Sequence, residues 1–253
     1  MITKEWVFFF VLRFLIDLDD KQKINFFHFF FFWRTLLTDA TGTAPVEAAV
    51  AHYGNETSLV PFNFDIIKDI ETGFNGLTLN STISNYLSSV PSWGWPVWVS
   101  GSEYKSRLAD RVTDAMVDEI AMIQLLLPGT PSIYYGEEIG MHNVKDIETE
   151  NSCQNASSTY ECNMARTPMQ WDASANAGFS SSGNGTWLPV AADFNQMNVE
   201  NETKTHPSHF NVYKKLLNIR QEKAFMHGDT GFPIVDEDIL SFTRYSWYSS
   251  NIY

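Results

Sequence analysis

The sequence predicts an α/β fold built from short parallel strands joined by helices. Three apolar segments carry this prediction, at residues 35–37, 97–99 and 133–135. Residues 108–127 separate the last two segments, and their apolar side chains recur at spacings of three and four, as on one face of an amphipathic helix. A strand, a helix and a second strand in this order are typical of a parallel βαβ unit.

The second half of the chain is organised differently. Pro128 and Gly129 end the long predicted helix, and residues 140–207 then show no regular period and are rich in Asn, Ser, Gly and Thr. A loop this long inside a compact domain is usually functional. A helix is predicted over residues 208–222, and residues 239–245 alternate like an edge strand.

The first 33 residues differ from the rest of the chain. Two Phe-rich apolar runs, residues 6–16 and 26–33, are shorter than the roughly 20 apolar residues that span a bilayer. The first run resembles the core of a signal peptide, but an acidic string (DLDD) follows it and no A-x-A-like cleavage site does. We therefore interpret residues 1–33 as a segment outside the native fold.

Charge and composition limit the class of partner. The formal net charge is −13, which argues against a nucleic-acid partner because binding to phosphates requires a positive surface. The aromatic content of 15% is compatible with a neutral sugar ligand. The histidines show no metal-ligand spacing, so we expect no metal site from them.

The cysteines and the glycosylation sequons indicate a secreted protein or an ectodomain. Cys153 and Cys162 have neither a C-x-x-C arrangement nor a second Cys/His pair nearby, which favours a local disulfide over redox or metal chemistry. Such a pair together with Asn-x-Ser/Thr sequons is typical of the secretory pathway. The sequons are at Asn55, Asn80, Asn155, Asn184 and Asn201.

Two strings indicate the family. PGTPSIYYGEEIGM spans residues 128–141, and ARTPMQWDASANAGFS spans residues 165–180 and is followed by TWLP at 186–189. Both resemble the α-amylase superfamily of glycoside hydrolases, and the second resembles its α-glucosidase branch, insect maltases in particular. The resemblance covers residues 33–245 and is extended by HYGNET, PFNFDII and HPSHFNVYKKLLNIRQEK.

The resemblance implies a (β/α)₈ barrel with its site at the carboxyl ends of the strands. On that alignment residues 34–225 form the C-terminal part of the barrel, from the fifth strand at residues 35–37 to the eighth helix. Residues 226–253 begin a C-terminal β-sandwich domain. The earlier strands have no counterpart here, and an open parallel sheet leaves unpaired edges, so we do not expect half a barrel to be a stable monomer.

The resemblance also implies the reacting groups. Retaining glycosidases use a nucleophilic carboxylate and an acid/base carboxyl about 5–5.5 Å apart, and this family adds a third carboxylate. The G-F-R-x-D string that carries the family's nucleophile does not occur in this sequence. The acid/base position corresponds to Asp39, where the family usually has Glu. Aspartate is one methylene shorter, and a displacement of about 1 Å can cost about 100-fold in rate.

The position of the third carboxylate is changed as well. The family's G-N-H-D string corresponds to GSEYKSR, which places Ser102, Glu103 and Tyr104 at the Asn, His and Asp positions. Arg107 is retained, and the resemblance implies that it binds substrate. A phenol carries no charge at neutral pH, so Tyr104 cannot replace a carboxylate. Glu103 replaces it only if the loop slides by one position.

Other residues take their expected roles from the same resemblance. Arg166 and Gln170 lie in the string that lines the pocket mouth in relatives, which implies substrate binding, with simple loop packing as the alternative. Glu137 and Glu138 are interpreted as part of the barrel rim. No cofactor is implied, and a Ca²⁺ site elsewhere on the barrel is left open. Five tryptophans could stack on sugars, although most are expected in the core: Trp93, Trp95, Trp98, Trp171 and Trp187.

Three hypotheses about function remain open. The first is an α-glucosidase that hydrolyses terminal α-1,4-linked glucose of small oligosaccharides, with this chain inactive as it stands. The second is the ectodomain of a heavy chain of a heteromeric amino-acid transporter, a membrane-associated group that shares the fold and has lost catalytic carboxylates. The third is a degenerate protein that only binds sugar. WPVWVSGSEYKSRLADRV resembles the transporter group at least as well as active maltases, whereas ARTPMQWD favours the first hypothesis.

We predict that Cys153 and Cys162 form an intramolecular disulfide in material from the secretory pathway. Closing a loop this short contributes about 2.5–3 kcal/mol in the chain-entropy model. Mass spectrometry of non-reduced peptides should show one cross-linked pair. Two free thiols in secreted protein would contradict the prediction.

Overall fold

Two pairs of parallel strands form the sheet of the first half of the chain. The computed structural model describes residues 36–38, 50, 53, 59–144, 147 and 163–246. Strand β1 (Leu36–Thr38) pairs with β2 (Leu59–Pro61), and β3 (Val97–Val99) pairs with β4 (Thr130–Ser132). Because both pairs are parallel, the predicted βαβ arrangement is confirmed.

A single bridge connects the two pairs. Asn63 lies just beyond β2 and forms a parallel bridge with Trp98 of β3. The backbone N–H of Asn63 donates to the carbonyl of Val97 at 3.2 Å, and the N–H of Val99 donates to the carbonyl of Asn63 at 3.2 Å. The carboxyl ends of β2, β3 and β4 therefore lie on the same side of the sheet.

Helices cover the strands and supply most of the core. The helices with described bounds are α1 (Asp65–Thr72), α2 (Gly76–Ser89), α3 (Asp114–Leu126), α4 (Val199–Lys204), α5 (His209–Arg220) and α6 (Lys223–His227). Apolar side chains one turn apart on α1, α2 and α3 meet around the buried indole of Trp98. The buried members of this cluster are Ile66, Ile70, Leu79, Ile83, Tyr86, Trp98, Leu108, Val117, Ile120, Ile123 and Leu127.

Helix α2 begins at a capping box that its polar sequence provides. The side chain of Asn75 accepts from the backbone N–H of Thr78 at 2.9 Å, and the hydroxyl of Thr78 accepts from the backbone N–H of Asn75 at 2.9 Å. Two otherwise unpaired backbone donors are thereby satisfied. At the other end of the helix the buried hydroxyl of Tyr86 accepts from the N–H of Val97 at 3.1 Å, which fixes the start of β3.

The carboxyl end of α3 is held by two arginines from the last part of the chain. Arg220 donates to the carbonyls of Leu125 and Gly129. Arg244 donates to the carbonyls of Leu126 at 2.7 Å and Gly228 at 2.8 Å. Cations at this end of a helix satisfy its last carbonyls and complement its dipole, so these contacts position the turn that leads from α3 into β4.

Several elements differ in their bounds from the sequence prediction. The eighth strand was expected at residues 133–135, but β4 ends at Ser132. Gly129, with φ +113°, turns the chain so sharply that the N–H of Thr130 already donates to the carbonyl of Pro96 at 2.8 Å. Pairing therefore starts three residues earlier, and Tyr134 and Tyr135 follow the strand instead of forming it.

The long predicted helix is also shorter than expected. Residues 108–127 divide into a 3₁₀ turn at Leu108–Asp110 and helix α3, which starts at Asp114 after the N-cap Thr113. The predicted helix over residues 208–222 is confirmed as α5. The first strand was expected at residues 35–37 and is shifted by one residue in β1.

The last described elements form a small antiparallel pair. β5 (Asp229–Gly231) pairs with β6 (Thr243–Tyr245). The strand expected over residues 239–245 is thus confined to its last three residues, with a separate bridge between Val235 and Leu240. Within the described residues no helix is long and apolar enough to cross a bilayer.

His209 connects α5 to α3 through two carboxylates. Its Nδ1 lies 2.8 Å from Oδ1 of Asp118, and its Nε2 lies 3.0 Å from Oδ1 of Asp114. Burial disfavours the charged ring, but the hydrogen bonds to both aspartates and their charges outweigh it and raise the pKa of His209. Both ring nitrogens can donate only when the imidazole is protonated, so the imidazolium is the form that links the two helices.

We predict that His209→Gln destabilises the protein more at low than at high pH. The stabilisation from a raised pKa is fully present below the unfolded-state value, ordinarily 6.5, and is lost as the pH rises through the folded-state value. Urea unfolding at a series of pH values measures this difference, and His227→Gln controls for loss of an imidazole elsewhere. A difference that does not change with pH would contradict the link.

Candidate functional site

A buried polar cluster lies at the carboxyl ends of β3 and β4. Ser100 directly follows β3, and its hydroxyl lies 2.8 Å from Oε1 of Gln124 on α3 and 3.2 Å from both carboxyl oxygens of Glu137. The Gln124 amide donates to the carbonyls of Trp98 at 3.2 Å and Ser132 at 2.8 Å. One side chain therefore joins the ends of both strands and the loop that follows β3.

Glu137 packs directly against the backbone of that loop. A Cβ on Gly101 would lie 2.2 Å from Oε1 of Glu137, so any larger residue at this position would displace the carboxyl group. The carboxyl group also accepts from the backbone N–H of Tyr134 at 3.2 Å. Glu137 is thus held between the loops after β3 and β4, and its role in the described geometry is to position them.

The protonation of Glu137 decides how the cluster is bonded. Burial raises the pKa of Glu137 to about 7, while the backbone bond from Tyr134 and the charge of Arg111 oppose the shift. When protonated, Glu137 can donate to Ser100, which then donates to Gln124. When Glu137 is ionised, Gln124 and Glu137 compete for the single proton of Ser100, and a buried acceptor without a donor costs about 1–3 kcal/mol.

Two arginines, the buried Arg107 and the half-buried Arg111, fix the loop of residues 100–107 at its ends. Arg111 donates to the carbonyls of Ser106 at 2.8 Å and Ser100 at 2.5 Å. Arg107 donates to the carbonyl of Tyr135 at 2.7 Å, and its guanidinium lies 4.8 Å from the centre of the Tyr135 ring. Burial lowers the pKa of Arg107, an effect that the nearby tyrosines and Glu137 oppose.

The middle of this loop meets the long loop of the second half. Arg166 donates from Nε to the backbone carbonyl of Glu103 at 3.2 Å, and its guanidinium lies 5.6 Å from the centre of the Tyr104 ring. Tyr104 is half exposed. Glu103, Tyr104 and Arg166, three of the residues expected from the sequence, therefore come together at one surface.

The tyrosines after β4 attach the long loop to the sheet. The hydroxyl of Tyr134 donates to the carbonyl of Ala165 at 3.2 Å, and that of Tyr135 donates to the carbonyl of Thr167 at 2.7 Å. Tyr134 and Tyr135 therefore do not extend β4. Their hydroxyls instead hold the segment that carries Arg166.

The remaining candidate residues lie elsewhere. Gln170 is fully buried, and its amide donates to the carbonyl of Met197 at 2.9 Å and contacts Asp193 at 3.3 Å. This geometry corresponds to the loop-packing alternative, because Gln170 presents no surface to a substrate. Asp39, at the acid/base position, lies outside the described residues.

Only some of the residues predicted to be glycosylated or to form a disulfide lie within the described residues. Asn80 lies in α2, Asn201 lies in α4, and Asn184 lies in an exposed turn. Asn55, Asn155, Cys153 and Cys162 are outside the described residues. Among the residues that are described, no group of three or more His, Cys, Asp or Glu side chains is placed to hold a metal ion.

The expectation that most tryptophans are buried is wrong. Trp98 alone of the five is fully buried, whereas the other four are about half exposed or more. Short loops around β3 and the long polar loop carry these four side chains. They are Trp93, Trp95, Trp171 and Trp187.

Sequence analysis missed Ser100, Arg111 and Gln124. A signal for Gln124 was present, because it follows Ile120 by one turn on the apolar face of α3 and is a polar residue at a core position. A buried polar side chain requires hydrogen-bond partners, and strand ends provide them. Ser100 immediately after an apolar triplet is the matching signal on β3.

Comparisons with known proteins agree on one family. The family model described as alpha amylase, catalytic domain, matches residues 46–229. The chain is 32% identical over 221 residues to Maltase A1 of Drosophila melanogaster, covering 83% of this chain and 38% of that protein. It is 32% identical over 200 residues to the alpha-glucosidase of Apis mellifera, covering 76% and 35%. It is also 33% identical over 190 residues to the amino acid transporter heavy chain SLC3A1 of Rattus norvegicus, covering 70% and 26%.

Solved structures share the fold. The alpha-glucosyl transfer enzyme XgtA superposes with a TM-score of 0.71 at 20% identity, covering 84% of this chain and 41% of that one. The trehalulose synthase MutB mutant A258V superposes with a TM-score of 0.68 at 22% identity, covering 84% and 45%. The strands and helices of this chain thus correspond to part of a (β/α)₈ barrel, which confirms the predicted fold class. The chain spans well under half the length of the curated relatives given above.

We predict that Glu137→Gln flattens the dependence of stability on pH. A carboxyl whose pKa is raised from 4.5 to about 7 favours folding in its protonated form, so stability falls as the pH rises through this window and is constant above it. The full effect is up to about 3 kcal/mol. Urea unfolding between pH 4.5 and 8 should show a smaller loss in the variant than in the wild-type protein, because the contribution of His209 remains in both.

The adjacent Glu138→Gln variant controls for the removal of one negative charge, because Glu138 accepts from the backbone N–H of Gly136 at 2.8 Å and lies outside the Ser100–Gln124 cluster. If Glu137→Gln and the wild type follow parallel pH profiles, Glu137 is not the titrating group.

Proposed function

The chain belongs to the α-amylase family, and on that premise we propose that it is part of an α-glucosidase-type protein of carbohydrate metabolism. The family reaction would be retaining hydrolysis of terminal α-1,4-glucosidic bonds in disaccharides and small oligosaccharides. In this chain the reaction is not completed, because the sequence lacks the nucleophile string and has Tyr104 at the position of the third carboxylate.

The observation that carries this proposal is the placement of the GSEYKSR loop. Gly101 and Arg107 anchor its two ends at the carboxyl ends of β3 and β4, where the family has its substrate site. Arg166 contacts the backbone of Glu103 and the ring of Tyr104. The loop thus keeps the family's location while its side chains differ from those that the reaction needs.

The transporter heavy chain is the second candidate, supported by the loss of the third carboxylate. The match to the heavy chain of Rattus norvegicus covers 70% of the chain, compared with 83% for Maltase A1, and the maltase-like ARTPMQWD string favours the glucosidase. Sequence upstream in the same transcript separates them: a G-F-R-x-D string supports the glucosidase, and a membrane-spanning helix supports the heavy chain.

We propose a location in the secretory pathway or outside the cell. The sequons and the cysteine pair support it, and one relative, 30% identical, is named as a salivary alpha-glucosidase of Aedes aegypti. A small saccharide is the proposed ligand, and the negative net charge of the chain opposes a nucleic-acid partner.

We predict that the purified chain does not hydrolyse a chromogenic α-glucoside. In a longer product of the gene that supplies the nucleophile, Glu103→His with Tyr104→Asp should raise turnover of maltose by about a thousandfold, the equivalent of about 4 kcal/mol. The exchange keeps the bond from Arg166 to the backbone of Glu103 and removes only the contact of Arg166 with the half-exposed ring of Tyr104.

The control is the same pair of substitutions combined with Asp39→Asn, which should abolish the gain. Turnover by the unmodified chain that is lost in Asp39→Asn would show that the site is complete as it stands. Ordinary glucosidase rates in the unmodified longer product would assign the role of the third carboxylate to Glu103.

A further inference from the structure

Three of the N-glycosylation sequons lie in described residues, and their surroundings differ. Each has Thr two residues after the asparagine, at Thr82, Thr186 and Thr203. The recognition sequence therefore does not distinguish between them. The space around each asparagine and the hydrogen bonds of its amide do.

Asn184 lies at the tip of an exposed turn. A Cβ on either neighbour, Gly183 or Gly185, would have no atom within 4 Å, so the space on both sides is open. The backbone N–H of Asn184 donates to the hydroxyl of Ser182 at 3.3 Å, while its side-chain amide takes part in no hydrogen bond with the described residues. The hydroxyl of Thr186 donates to the nearby carbonyl of Leu188 at 2.5 Å, a local contact that a sugar on Asn184 leaves intact.

Asn201 is already engaged in the fold. Its Nδ2 donates to the carbonyls of Asn195 at 2.9 Å and Gln196 at 3.2 Å, so both amide protons hold the turn before α4. A glycan replaces one of these protons. The turn would then lose a hydrogen bond and would have to move away from a bulky sugar.

Asn80 lies on α2 where that helix packs near α1. Its Oδ1 is buried without a partner among the described residues. The threonine of its sequon, Thr82, forms a side-chain hydrogen bond with Asp69 of α1. A glycan on Asn80 is disfavoured because the asparagine is half-buried and because the hydroxyl of Thr82 is already hydrogen-bonded to Asp69.

We propose that Asn184 is the residue of these three that carries an N-linked glycan, and that Asn80 and Asn201 are unmodified in the folded protein. In the transfer, Nδ2 of Asn184 loses a proton and bonds to the anomeric carbon of an oligosaccharide carried on a lipid pyrophosphate, and the lipid pyrophosphate leaves. The inference rests on the secretory location proposed above and not on hydrolysis, and the secretion leader used in the test supplies that location independently.

The test is expression of the full chain behind a cleavable secretion leader in insect cells. An endoglycosidase that leaves one N-acetylhexosamine on each modified asparagine is followed by peptide mass spectrometry of the protease-resistant protein. Protein retained in the cell is analysed in the same way, so efficient secretion is not required. The expected result is the sugar mass on the Asn184 peptide, its loss in Asn184→Gln, and unmodified Asn80 and Asn201 peptides.

A second measurement separates acceptor from structural asparagines. Asn184→Gln should leave Tm of the deglycosylated protein unchanged, whereas Asn201→Gln should lower it by about 2–4 °C through loss of its two backbone bonds. An unmodified Asn184 in protein from which the leader has been removed would overturn the proposal. A sugar on Asn80 or Asn201 in the protease-resistant protein would also overturn it.

Discussion

The hydrogen bonds of the Gln124 side chain hold together the carboxyl ends of β3 and β4, where the candidate site lies. Strands β3 and β4 contain three residues each, so their ladder contributes few backbone hydrogen bonds. Gln124 adds two bonds where the strands end, one to each strand, and it is anchored on the long helix that connects them. Its remaining oxygen requires a donor, and Ser100 supplies one. The position of the loop after β3 follows from that requirement.

The loop after β3, the loop after β4 and the segment that carries Arg166 are connected to one another by a chain of contacts. Ser100 leads to Glu137, Glu137 fixes the backbone at Gly101, and the tyrosines that follow β4 hold the segment that carries Arg166. Because burial raises the pKa of Glu137 to about 7, this carboxyl group gains or loses its proton in the physiological pH range.

Periodicity in the sequence was sufficient to find β3, α3 and α5, because apolar faces dominate those elements. It did not place β4, since the sharp turn at Gly129 depends on the packing of its neighbours and leaves no periodic signal. Helices α1 and α2 were not predicted. Helix α2 begins at a polar capping box, and only Leu79, Ile83 and Tyr86 along its largely polar sequence are buried in the core. The family motifs located the loop of Glu103 and Tyr104, whereas Gln124 could be found only by asking what a buried amide must bond to.

The anchoring of the loop at Gly101 and Arg107 has an evolutionary consequence. Both anchors lie outside the triplet Ser102, Glu103 and Tyr104, and the contact of Arg166 with Glu103 is made to the backbone. Substitutions in the triplet therefore remove, among these contacts, only the one between the Tyr104 ring and Arg166, so selection for folding alone does not preserve the chemistry of these positions. A duplicated gene can drift at these three positions and acquire a new role while the scaffold around them persists.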